Sequence, residues 1–132
     1  MTIQIRQTSL SASEATIRGH GITIDRPTEK GGSNLGPMGG ELFLAAIGGC
    51  FMSNLLAAIN ARQAPVSNVQ TEVTATLDGT PPRFSQIELN VSADCPDRDL
   101  LEKLIEVAER GCIMVNTLRG TLNLKVGVSL HA

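Results

Sequence analysis

Short stretches in which apolar and polar residues alternate open the chain and predict β-strands. Residues 3–8, 14–18 and 21–25 carry isoleucine or alanine at alternate positions, which is the spacing of side chains on one face of a strand. Two glycines flank His20 and predict a hairpin turn at Gly19-His20-Gly21. The beginning of the chain is therefore expected to form three short strands.

A long loop and a long apolar helix follow these strands. Residues 26–40 contain two prolines and five glycines, and long ordered loops of this kind often line sites. The next segment, Glu41 to Arg62, predicts a helix of about 33 Å that is apolar nearly all round. It contains glycines, Ser53 and Asn54, so a buried core helix is favoured over a membrane span. One short chain has little material to cover such a helix, which indicates a homodimer.

The second half returns to strands and amphipathic helices. Its predicted elements are strands at Val69–Leu77 and Gln86–Ser92, a helix at Asp97–Arg110, a helical turn or two at Cys112–Leu118 and a strand at Leu122–Leu130. The order β-β-β-α-β-β-α-β predicts an α+β fold with largely antiparallel pairing. At 132 residues a single domain over residues 1–132 is expected.

Composition and charge exclude several classes of function. The chain has no Trp or Tyr, three Phe and a net charge of −2, so neither a basic stripe nor stacking residues for nucleic acid are present. The first residues show no signal peptide. Three cysteines without such a signal indicate a reducing compartment and a cytoplasmic location.

The cysteines are the candidate chemical groups. Cys50 follows two glycines inside the apolar helix, where each glycine costs about 1 kcal/mol relative to alanine, so close approach of a backbone or a substrate is expected there. Cys112 follows Gly111, the expected helix terminator, and a thiol at a helix start is stabilised as thiolate. Residue type alone favours a small packed hydrophobe for Cys50, and it leaves that interpretation and the chemical one equal for Cys112. Cys95 lies between acidic residues and is interpreted as a bystander. His20 and His131 have no metal-ligand spacing with the cysteines, so neither a metal nor a cofactor is predicted.

Two motifs resemble the OsmC/Ohr family. Residues 36–50, GPMGGELFLAAIGGC, resemble the segment around its first cysteine, and residues 108–118, AERGCIMVNTL, resemble the segment around its second cysteine. The motifs have the order and the 62-residue cysteine separation of that family. The likeness extends over nearly the whole chain from about residue 14.

The resemblance implies an OsmC-like fold, an intertwined homodimer and peroxide reduction. By this likeness Cys50 is the peroxidatic nucleophile that becomes a sulfenic acid, and Cys112 resolves it as a disulfide that a dithiol reopens. A lipoyl-type dithiol is one candidate reductant. The likeness also implies that an arginine from the first strands, Arg18 or else Arg26, keeps Cys50 as thiolate, and that Glu41 holds this arginine.

The chain also departs from the family pattern. Glu41 precedes Cys50 by nine residues where the hydroperoxidase branches have ten, so that Gly40 stands at the equivalent position. Ile113 replaces a proline of the second motif. This spacing resembles an OsmC-like branch. A non-catalytic redox-sensing or small-molecule-binding protein, or a purely structural dimer, therefore remains as an alternative to a peroxidase.

Overall fold

The alternating N-terminal residues form the three predicted strands. In a computed structural model, which describes residues 1–131, β1 is Gln4–Gln7, β2 is Ser13–Ile17 and β3 is His20–Ile24. They pair antiparallel in the order β1-β2-β3. The predicted position of the hairpin turn is wrong by one residue. Arg18 and Gly19 form the turn, with φ of 48° and 81°. Positive φ at both positions is what a tight two-residue hairpin needs.

The long helix is close to its predicted bounds. A 3₁₀ turn at Thr28–Lys30 lies within the preceding loop, and α1 runs from Gly39 to Ala61. The helix begins two residues before the predicted start because the Glu41 carboxylate accepts a hydrogen bond from the Met38 N–H at 2.8 Å, a capping interaction for the first turn. At its other end Arg62 Nη1 donates to the Ala58 carbonyl oxygen at 3.3 Å.

The remaining elements form a second three-stranded sheet with two helices. Strand β4 is Ser67–Asp78, β5 is Arg83–Asp94 and β6 is Asn123–Leu130, while α2 is Arg98–Gly111 and α3 is Ile113–Leu118. The Asp97 carboxylate caps α2 by accepting from the Asp99 N–H at 2.9 Å. The pairing of β4 with β5 is antiparallel, as expected, but β6 is parallel to β5. The crossover through α2 and α3 returns the chain to the end at which β5 began, so β6 must run in the same direction.

One face of this sheet is the apolar core. Directly paired residues share a face, and Val73, Leu89 and Val126 are paired in this way across the three strands. Four alternate residues of β5 are fully buried: Ile87, Leu89, Val91 and Ala93. The buried faces of the helices are Ile47, Gly48, Phe51, Leu55, Ala58 and Ile59 of α1, and Leu101, Leu104, Ile105 and Ala108 of α2.

The other face of α1 is unusually open for an apolar helix. By length and composition the helix could cross a membrane, and 33% of its most apolar window is buried inside the chain. A core helix of a soluble protein has the same composition. The α+β fold class is confirmed. Two compact units are distinguished, one from Met1 to Phe43 and one from Leu44 onward, and the single domain stays a prediction.

Candidate functional site

Cys50 lies on α1 next to two glycines that have different surroundings. A Cβ added to Gly48 would lie 2.7 Å from Cγ2 of Val73, whereas a Cβ added to Gly49 would meet nothing within 4 Å. The close neighbour at Gly48 is therefore a side-chain methyl of β4, and not the backbone or substrate that the glycine pair predicts. Gly49 is exposed and leaves the backbone beside Cys50 open. Cys50 itself is half-buried.

Cys112 occupies the junction between α2 and α3. It is the C-cap of the first helix and the N-cap of the second, with φ of −81° and ψ of 110°. Its N–H donates to the Glu109 carbonyl oxygen at 3.3 Å, and its own carbonyl oxygen accepts from the Asn116 N–H at 3.0 Å. The backbone of Cys112 is thus fixed from both sides, and its side chain is completely buried.

The fold brings these two cysteines together across 62 residues of sequence. The Cys112 thiol donates to the Cys50 sulfur, with the two Sγ atoms 3.3 Å apart. Both are free thiols, and a disulfide requires an S–S distance of about 2.05 Å. A movement of slightly more than ~1 Å would therefore convert this pair into a disulfide.

Burial controls the protonation of Cys112. Burial raises the pKa of the Cys112 thiol above its ordinary value, and the hydrogen bond and charge interaction with Cys50 raise it further. The backbone N–H groups of Val115 and Met114 act in the opposite direction without outweighing burial. Cys112 is therefore held as a thiol that donates its proton toward the more accessible Cys50.

The third cysteine, Cys95, is not part of this thiol pair. Cys95 is half-buried, and its thiol donates to the Asp97 carbonyl oxygen at 3.1 Å. Within residues 1–131 no group of three or more His, Cys, Asp or Glu side chains is arranged to hold a metal ion. His131 instead lies between two residues of the β5 region, with Nδ1 2.9 Å from Asp94 Oδ1 and Nε2 3.0 Å from Ser92 Oγ.

The charged residues assigned to the site by resemblance lie in the N-terminal unit. Arg18 is in the turn between β2 and β3, and both it and Arg26 are exposed. Glu41 accepts the Met38 N–H at the start of α1 through one of its two carboxylate oxygens. Among the ion pairs of residues 1–131, none joins Glu41 to an arginine. The roles of Arg18 and Glu41 stay predictions.

Asp25 is a buried carboxylate that the sequence reasoning missed. It is 2% exposed and accepts hydrogen bonds from three backbone N–H groups, those of Arg26 at 2.7 Å, Ser33 at 3.1 Å and Leu35 at 3.2 Å. Burial by itself raises the pKa of Asp25, but these donors and the Ser11 hydroxyl outweigh it and lower the pKa overall. The signal in the sequence was an aspartate placed directly between a strand and a glycine-rich loop.

The loop that Asp25 organises borders an open cavity of about 490 Å³. Arg26 and Lys30 line this cavity from the loop, and Gly39 and Gly40 line it from the first turn of α1. The Asp25 carboxylate thus accepts three backbone N–H groups of the glycine-rich loop, and the expectation that this loop lines a site stays a prediction.

A family model described as OsmC-like protein matches residues 31–127. The chain belongs to the OsmC-like family. The matched region includes both Cys50 and Cys112, so the resemblance seen in the two cysteine motifs is confirmed at the level of the family. No curated protein matched the chain by sequence.

Solved structures share the fold of this OsmC-like chain at low sequence identity. An OsmC-like protein from Mycoplasma pneumoniae is 20% identical with a TM-score of 0.85, and the match covers 99% of this chain and 96% of that one. An organic hydroperoxide resistance protein OsmC from Legionella pneumophila is 22% identical with a TM-score of 0.75, over 98% and 97% of the two chains. OhrB of Bacillus subtilis, an organic hydroperoxide resistance protein, is 20% identical with a TM-score of 0.69, over 98% of both chains. These likenesses establish the fold.

Proposed function

We propose that this OsmC-like chain is a thiol peroxidase that reduces organic hydroperoxides or hydrogen peroxide. The observation that carries the proposal is the pair of free thiols, Cys50 and Cys112, with sulfur atoms 3.3 Å apart. A sulfenic acid formed on one thiol condenses readily with such a neighbour. The names of two structural relatives, which are organic hydroperoxide resistance proteins, agree with this activity.

The two thiols have different roles in the proposal. The Cys50 thiolate attacks the terminal oxygen of the peroxide, the O–O bond breaks, and Cys50 becomes a sulfenic acid. The departing alkoxide, or hydroxide from hydrogen peroxide, takes a proton from the solvent and leaves as an alcohol or as water. The Cys112 thiol then attacks the sulfenic sulfur, and water leaves as the disulfide forms. A dithiol, for which a lipoyl type is one candidate, then reduces the protein disulfide by thiol–disulfide exchange. Both cysteines return to thiols, and the dithiol is itself oxidised to a disulfide. The half-buried Cys50 and the buried Cys112 support this order.

The proposal includes a homodimer. The open side of α1 carries small or apolar residues, and Leu56 on this side is 43% exposed. An exposed apolar face of this kind is typical of an interface. The other residues on it are Ala45, Ala46, Gly49, Ser53 and Ala57. A cytoplasmic location is also proposed, because free thiols persist in a reducing compartment.

The test is consumption of tert-butyl hydroperoxide by the purified protein with dihydrolipoamide as reductant. Wild type and Cys95→Ser should turn over at equal rates, because Cys95 is bonded elsewhere. Cys50→Ser should be inactive. Cys112→Ser should react once and then accumulate a sulfenic acid that dimedone traps. A Cys50→Ser protein as active as wild type would refute the proposal.

One observation favours a second function, that of a redox-sensing or small-molecule-binding protein. The Glu41 carboxylate caps its own helix by accepting the Met38 N–H through Oε1 at 2.8 Å, and among the ion pairs of residues 1–131 none joins Glu41 to an arginine. A protein of this class would form the Cys50–Cys112 disulfide with an oxidant but would not turn over with the dithiol. Multiple turnovers would exclude it.

A further inference from the structure

The end of α2 contacts the helix that carries Cys50 through the amide of Asn54. Asn54 lies one helical turn after Cys50, and its Nδ2 donates to the Cys50 carbonyl oxygen at 2.9 Å. Because a carboxamide is planar, this bond also fixes the direction of Oδ1. A Cβ added to Gly111 would lie 2.8 Å from this Oδ1 and 3.5 Å from Cγ of the same side chain. Asn54 thus fills the space where a side chain at Gly111 would begin.

This contact explains why residue 111 is glycine. The sequence predicts Gly111 as a helix terminator, a role that uses a positive φ. The prediction is wrong in its reason: Gly111 is the last residue of α2, and it is not among the glycines of positive φ. Alanine is favoured over glycine inside a helix. The absence of a side chain at Gly111 is therefore what lets Asn54 approach this closely while it keeps its bond to Cys50.

The two ends of the contact adjoin the two thiols. Asn54 is bonded to the backbone of Cys50, and Gly111 directly precedes Cys112, whose backbone is held by Glu109 and Asn116. We propose that Asn54 is a positioning residue that sets the approach of α1 to the α2–α3 junction, and through it the ease with which the Cys50–Cys112 disulfide closes. The inference rests on the redox role proposed for this thiol pair.

Formation of the disulfide requires a small movement of the two sulfur atoms inside a packed core. The sulfur atoms must come from 3.3 Å to about 2.05 Å, and the surrounding core is close-packed, so shifts of a few tenths of an ångström matter. A Cβ at position 111 would push on an Oδ1 that is tethered to the Cys50 carbonyl. Either the Asn54 bond breaks or the residue before Cys112 moves away, and both oppose closure.

The test measures the thiol–disulfide equilibrium in glutathione buffers, with glutathione disulfide as the oxidant and no peroxide. Gly111→Ala should lower the equilibrium constant for the Cys50–Cys112 disulfide about tenfold, which is a shift of about 30 mV. In an Asn54→Ala background the same substitution should have almost no effect, because the colliding Oδ1 is gone. This rescue separates positioning from a general loss of stability, which urea unfolding of the reduced proteins measures in parallel.

A matched control is present in the second sheet. A Cβ added to Gly127 would lie 3.0 Å from Oδ1 of Asn90, which is the same kind of contact between a glycine and an asparagine. Gly127→Ala should leave the equilibrium constant unchanged. The inference is overturned if Gly111→Ala has no effect, or has the same effect with and without Asn54. If Gly111→Ala does not fold, Asn54→Ala alone decides, and an unchanged constant overturns the inference.

This experiment is independent of peroxidase activity. A protein without turnover toward peroxide would contradict the proposed function and would still report on Asn54 through glutathione. Conversely, an active peroxidase in which Gly111 and Asn54 show no coupling would keep the function and remove the positioning role.

Discussion

Gly48 of α1 lies against Val73 of β4 so closely that a Cβ at Gly48 would be 2.7 Å from Val73 Cγ2. Real Cβ atoms do not make contacts this short, and Gly48 is buried, so one of the two elements would have to shift. The helix that carries Cys50 therefore approaches its sheet as closely as a residue without a side chain allows.

Gly48→Ala is expected to destabilise the reduced protein. Overpacking of a filled core costs about 1–3 kcal/mol, and alanine recovers up to about 1 kcal/mol of helix propensity. We expect a net loss in the free energy of unfolding of about 1–2 kcal/mol, measured by urea denaturation followed by circular dichroism.

Gly39→Ala is the matched control, because a Cβ at Gly39, the first residue of α1, would meet nothing within 4 Å. It should leave the stability unchanged or raise it slightly. A Gly48→Ala protein that is as stable as Gly39→Ala would contradict the close contact between α1 and β4.

We expect the stability of the loop that Asp25 holds to depend on pH. The net effect of burial and its hydrogen-bond donors is a pKa below the ordinary value. The contribution of Asp25 to stability is therefore fully present above the unfolded pKa of about 3.9, and it is lost as the pH falls through the lower folded pKa. In NMR spectra the amide signals of Ser33 and Leu35 should titrate together below about pH 3.9.

Asp25→Asn should abolish this titration and lower the stability at neutral pH, since an amide offers one acceptor oxygen instead of two. Glu29→Gln, an exposed substitution in the same loop, is the control and should change neither. Signals of Ser33 and Leu35 that still titrate in Asp25→Asn would assign the transition to another group.

The elements of this fold are predictable where one local pattern decides them. The 3.6-residue period of α2 is predictive because that helix has one buried face. The alternation also predicts β1 correctly, although all four residues of that strand are exposed. The parallel direction of β6 is not a local property. It follows from the crossover through α2 and α3, which no stretch of sequence displays by itself.

The two cysteines of the candidate site could be named from the sequence, whereas the distance between them could not. The resemblance identified Cys50 and Cys112, but their 3.3 Å separation depends on how α1 meets the α2–α3 junction. The role of Asp25 was not predicted because its hydrogen-bond donors are backbone N–H groups, which every sequence contains. Glu41 is expected to hold an arginine, and this stays a prediction, because the helix start uses one carboxylate oxygen and the other can still accept.

The exposure of Leu56 provides a test of the proposed homodimer. It is 43% exposed on the open side of α1, and in the proposed homodimer a partner chain covers it. Light scattering should give twice the chain mass of 13.9 kDa, and Leu56→Glu should weaken the dimer by about 2 kcal/mol or more, since it buries an unpaired charge. Val107→Glu, on α2 with 37% exposure, should leave the mass unchanged. A monomeric wild type would contradict the homodimer.

The last prediction concerns the cation that activates Cys50. The family resemblance assigns this role to Arg18, with Arg26 as the second candidate, and both side chains are exposed. Loss of one favourable charge near water costs about 1 kcal/mol, so Arg18→Ala should slow alkylation of Cys50 by iodoacetamide at pH 7 roughly fivefold. In Arg26→Ala, Cys50 should be alkylated at the wild-type rate. Cys112 is replaced by serine in every protein, so that Cys50 is the one thiol of the pair whose alkylation is measured. Slowing by Arg26→Ala instead would transfer the role to Arg26, and wild-type rates in both would mean that neither arginine holds the thiolate.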